Sequence, residues 1–210
     1  MKAFNNDVQL KADLIKEVIK HREADAIVKG YYGDMSDNEF KGCAVGCSLH
    51  SYAIIKGIVL DTSEHKNYEK FGISELLARL EDNIFEGLPS THNKKWPEQF
   101  LSAIPVGADL STVWPQFAQW LLTDKKWGVI QYAKTEQQRS AIQKVNDLYR
   151  DGGSINDFKL AGADDADAGY ADDAGYAADY AGYAADAAAA KYKTRIAQSK
   201  KLISLLKAEK

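Results

Sequence analysis

SELLARLEDNIFEGL, residues 74–88, decides the class of fold. Leu76, Leu77, Leu80 and Ile84 recur at helical spacing and make one apolar stripe. Ser74 stands where an N-cap belongs, and Pro89 follows where a helix must stop. In the same stretch Glu81 comes four residues after Leu77 and borders the stripe, whereas Asp82 and Glu86 are expected to point away from it.

The helical pattern extends outward in both directions. Upstream, residues 7–29 read as an amphipathic helix with Leu10, Leu14, Val18 and His21 on one face and Ile15 and Ile19 beside them. Asn6 or Asp7 caps its start, and Gly30 ends it. YYGDMSDNEFKG, residues 31–42, reads as a polar loop. A short helix follows from Cys43 to Ala53, weakened by Gly46, and IIKGIVLD at 54–61 suggests a strand without an evident partner. Downstream, WPEQFLSAI and STVWPQFAQWLL are two helices with proline near the first turn, where a missing N–H costs least. Thr135 and Gln138 form a capping box for a helix carrying Ile142, Val145 and Tyr149 on one side, and Asp151-Gly152-Gly153 stops it. The expected architecture is all-α: a compact multi-helix domain over 1–153, then a separate segment over 154–210.

That segment changes composition abruptly. Residues 161–190 contain only Ala, Gly, Asp and Tyr, and from Ala168 they align in sevens as AGYADDA, GYAADYA and GYAADAA. Asp165, Asp172, Asp179 and Asp186 repeat at that interval. The first and fourth positions of the repeat, from Ala168 and Ala171 to Ala185 and Ala189, are all small. Seven residues are two helical turns, so the small positions form a narrow face against which another helix can approach closely. Acidic residues toward its N-terminus and basic ones toward its C-terminus suit one long helix. Its glycines and alanines leave it marginal alone, so it is expected to pack through its small face on a second copy or on its own domain.

Composition narrows the function classes. The formal net charge is −3 and no basic footprint of the kind nucleic acid needs appears over residues 1–160. No apolar run is long enough to cross a bilayer, and no secretory signal is read, so neither nucleic acid nor membrane is an expected partner. Two cysteines without an export signal point to reduced thiols and a cytoplasmic location.

The chemistry-bearing residues concentrate in KGCAVGCSLHS, residues 41–51. On a helix Cys43, Cys47 and His50 share a face, and Cys43 stands at an N-terminus, where the helix dipole lowers a thiol pKa. One reading makes Cys43 a nucleophile activated by a histidine from elsewhere, His65 or His21. Another gathers Cys43, Cys47, His50 and His21 into a tetrahedral metal site, although C-x3-C-x2-H departs from the usual zinc spacings. The plainer reading buries two small apolar cysteines and leaves His21 and His50 hydrogen-bonded at the core edge. Glu81 beside the apolar stripe, with Trp96 and Trp114 from an aromatic-rich stretch, is the candidate lining for a planar ligand such as a nucleotide; Lys94, Lys95, Lys125 and Lys126 would serve its phosphates. No phosphate loop, G-x-S-x-G or H-E-x-x-H motif is present, and no cofactor is expected.

KGCAVGCSLHS, ARLEDNIFEGLP, the WPEQFLSAIPVGADLSTVWPQFAQWLLTD stretch and the Ala/Tyr/Asp tail together resemble a family of uncharacterised bacterial and phage-encoded proteins. The resemblance covers nearly the whole chain and implies no activity, cofactor or catalytic residue. It implies an accessory protein working inside a bacterial cell. The expectation is therefore a homo-oligomeric binding protein for a host small molecule or protein, with a cysteine-dependent hydrolase or transferase using Cys43 as the alternative.

Overall fold

The computed structural model describes residues 1–36, 39–162 and 188–210. Helix accounts for 68% and strand for 3%, so the fold is all-α as expected. By packing, the chain divides into two compact units: Met1–Leu110 with Leu202–Lys210, and Ser111–Lys201.

The first unit is built on four longer helices. α1 spans Val8–Glu23, α2 Ala44–Lys56, α3 Glu75–Gly87 and α5 Trp96–Ala103, with the single turn α4 at Ser90–Asn93. α1 packs on α2 and α5, and α2 on α3 and α5. Leu10, Leu14, Val18, Leu49, Leu77, Leu80, Ile84, Phe85, Trp96 and Phe100 fill the space between them. Each buried aliphatic or aromatic side chain of this kind contributes about 1.5–3 kcal/mol of burial free energy. The caps fall where the sequence places them: Asp7 accepts from Leu10 N, and Ser74 from Leu77 N.

Three local expectations are corrected. α1 stops at Glu23 rather than near residue 29, because Asp25 turns into the left-handed region at φ 56° and the β-branched pair Ile27–Val28 runs extended. There Ile27 bridges Gly42, and Val28 N donates to Gly42 O. The loop at 31–42 contains a hairpin, β1 at Asp34–Ser36 antiparallel to β2 at Glu39–Lys41. Residues 54–56 are the last turn of α2 and not a strand, since Gly57 caps the helix at φ 63° and returns its N–H to Ala53 and Ile54.

The second unit holds α6 at Val113–Thr123, α7 at Glu136–Asp151, α8 at Ile155–Gly162 and most of α9, Ala188–Ala208. α7 packs on α6 and α8 and carries the full Thr135–Gln138 capping box. From Leu202 onward α9 belongs to the first unit, where Leu202 and Leu206 are wholly buried. The seven-residue repeat lies outside the described residues, apart from its last positions.

Candidate functional site

Cys43 is the N-cap of α2. Its Sγ accepts from Gly46 N at 3.4 Å, and its own N–H donates to Tyr31 O at 2.6 Å. The helix terminus was expected to lower this thiol's pKa, and the reverse holds. Burial pushes the Cys43 thiol far up, and the negative charge of nearby Asp82 pushes it further. Only 1% of the residue is exposed, so desolvation outweighs the helix dipole. Cys47, one turn on, is pushed up to about 12 by burial. Its Sγ points at Gly42 O, 3.4 Å away, and Ala26 O, 3.8 Å away.

His65 opens a 3-10 helix over His65–Phe71, where a polar loop would leave it exposed. It is buried instead, with Nε2 3.2 Å from Asp82 Oδ2. Asp82 was expected to point away from the core and is also buried. The pattern that places it is a second row on α3: Ala78, Asp82 and Phe85 follow at i, i+4 and i+7, alongside the main stripe. The imidazole therefore reaches a carboxylate and not the thiol; among the described residues no histidine is hydrogen-bonded to Cys43.

Tyr32 completes this cluster. Its ring meets His65 edge-on at 5.4 Å and 84°. Burial raises its phenol pKa, and the charge of Asp82 raises it further. Tyr32 was not among the residues the sequence singled out. A tyrosine in a glycine-flanked loop has no periodicity to betray its partner.

Glu81 lies one residue from Asp82 on the interior side. It is fully buried, and its pKa is raised well above the ordinary carboxylate value, first by burial. Oε2 accepts from the Tyr68 hydroxyl at 2.7 Å, while Oε1 has no hydrogen bond. Asp82 Oδ1 and Ser48 Oγ are likewise buried without one. Three buried side-chain oxygens beside the cluster thus lack a hydrogen-bond partner. Trp96 supports it from behind by donating Nε1–H to Glu81 O at 3.0 Å, but at 1% exposure it has no open ring face for a ligand.

The remaining candidates separate. His21 and His50 pair with each other, Nε2 to Nδ1 at 3.2 Å, and Phe40 stacks flat on His50 at 3.9 Å. Burial lowers both imidazoles, His21 to about 4, with the charge of His50 adding to the effect on His21. Among the described residues no group of three or more His, Cys, Asp or Glu side chains could hold a metal ion. Trp114 belongs to the second unit, edge-on to Tyr149 at 5.9 Å and beside Phe117. Lys94 is engaged with Asp25. No helix among the described residues is long and apolar enough to cross a membrane. No family model, no curated protein and no solved structure matches the chain.

Proposed function

We propose that this chain is a binding protein rather than a thiol enzyme: a phage-type accessory protein of the bacterial cytoplasm, assembled as a homo-oligomer through its Ala-rich segment, that sequesters a small host molecule. The observation that carries the reading is the state of Cys43. A nucleophile must be a thiolate, and this thiol is desolvated beside a carboxylate, with His65, the expected base, bonded to that carboxylate. Four side chains that cannot assemble a nucleophile can still recognise a ligand.

The chemistry of the cluster refines the ligand class. The Asp82 carboxylate, with Oδ1 unbonded, disfavours phosphate and favours a partner that donates. A nucleobase edge, whose N–H groups bond a carboxylate while its ring faces Tyr32, suits the cluster better than the phosphate end of a nucleotide. A host protein as the sequestered partner has its own support in Ile54, Ile58 and Val59, which stand largely exposed together at the end of α2.

Two measurements test the reading. Alkylation by iodoacetamide near neutral pH should modify Cys43 at least about a hundredfold more slowly than a free cysteine, as a protonated buried thiol requires. A rate equal to or above that of free cysteine overturns it in favour of the enzyme. A panel of nucleosides and their monophosphates should show stabilisation by nucleosides that is lost in Asp82→Asn; stabilisation retained in that variant removes the cluster as the site.

A further inference from the structure

We propose that Gly30-Tyr31-Tyr32-Gly33 is a hinged lid that closes the Cys43–Asp82–His65 cluster from solvent and opens without unfolding the unit around it. This refines the ligand reading above by assigning its access route, yet its own test needs no ligand.

The ends of the segment are fixed. Before it, Ile27 bridges Gly42 and Val28 N donates to Gly42 O; after it, Asp34 pairs with Lys41 in the hairpin. Between these anchors both flanking residues are glycines with positive φ, 71° at Gly30 and 122° at Gly33; Gly30 stands in open space and rotates freely, whereas Gly33 packs on the Phe40 ring and is the fixed end of the hinge. Tyr31 and Tyr32 are 47% and 44% exposed, so each is already half in solvent with the lid closed.

The closed position has a seat. Tyr32 O lies over Gly46, where an added Cβ would come within 1.8 Å of it, and over Gly42, where the gap would be 3.0 Å. Only glycine at these two positions, one before the N-cap and one in the first turn of α2, admits the lid this closely. Two latches hold it: Cys43 N–H to Tyr31 O at 2.6 Å, and Gly30 N–H to Glu86 Oε1 at 2.9 Å. Under the lid, the Tyr32 ring closes on His65.

The two thiols report on opening from opposite sides. Cys43 lies under the lid, whereas Cys47 points inward to Ala26 O and Gly42 O, behind the anchored bridge. Lid opening exposes Cys43 alone; global unfolding exposes both. Iodoacetamide labelling of the intact protein, read by mass spectrometry at increasing sub-denaturing urea, should modify Cys43 faster than Cys47. The Cys43 rate should stay nearly flat with urea while that of Cys47 climbs.

Glu86→Ala removes one latch and should raise the Cys43-to-Cys47 rate ratio about five- to tenfold, the worth of one hydrogen bond. Glu86→Gln, which keeps an acceptor, should return the ratio close to wild type, and Tyr32→Ala should raise it as Glu86→Ala does. Equal rates with one shared urea dependence, or a ratio indifferent to Glu86→Ala, overturn the lid. Absence of nucleoside binding leaves it standing, and failure of the lid leaves the protonated-thiol argument intact.

Discussion

Glu81 and His21 are both buried titratable side chains, and they bias stability in opposite directions along the pH axis. The native pKa of Glu81 is raised, so the native state keeps a proton that the unfolded chain releases above about 4.5. Its contribution is full below that value and declines as pH rises through the native pKa. His21 is lowered from 6.5 to about 4, so the unfolded chain takes up its proton first. Its contribution is full above 6.5 and is lost as pH falls toward 4. Stability measured by urea unfolding should therefore be highest in mildly acidic solution and decline toward alkaline pH, at up to about 1.4 kcal/mol per pH unit for one proton. Glu81→Gln keeps the acceptor for Tyr68 and should flatten the alkaline decline, while His21→Gln should flatten only the acid one. An alkaline slope unchanged in Glu81→Gln would mean that the carboxyl is ionised inside the unit.

At the scale of elements, α3 carries the site: its main stripe makes the core, Glu81 sits on that stripe, and Asp82 on the row beside it. The register of α3 depends on Ser74, whose hydroxyl accepts from Leu77 N. Ser74→Ala should cost about 1 kcal/mol of stability in a urea titration. Because the cap only sets the start of the helix, the relative labelling of Cys43 and Cys47 in folded protein should not change. The caps, stripes and stops were legible in the sequence because each is a local device, complete within a few residues. Much of the site was not. His65 and Asp82 are ordinary polar residues until the 3-10 turn at His65–Phe71 meets α3, and the His21–His50 pair forms only where α1 crosses α2. The thiol's state was misread for a related reason. The helix N-terminus is visible in sequence, but the burial that overrides it depends on the hairpin strand and the Tyr31–Tyr32 segment laid across that terminus.

For the whole molecule, the sequence divides by composition near residue 161, whereas packing divides it at 110 and 201. The two divisions answer different questions. Composition marks where the alphabet of side chains narrows; packing marks which residues share a core. The last nine residues show the difference, for they follow the Ala-rich tract in sequence yet complete the first unit. Leu202 and Leu206 are wholly buried there, Leu205 nearly so, and Asp109 N donates to Lys210 O at 3.3 Å. The carboxy-terminal turn of α9 is thus part of the core that holds the site, not an appendage. Deleting residues 202–210 removes three buried leucines, where even one Leu→Ala change costs about 2–5 kcal/mol. The truncated protein should lose the cooperative unfolding of the first unit, with Cys43 and Cys47 labelled at the same fast rate. The milder Leu202→Ala and Leu206→Ala variants should lower the urea midpoint while keeping the order of thiol labelling. A truncated chain that still protects Cys47 as the full chain does would show that the first unit closes its core without these turns.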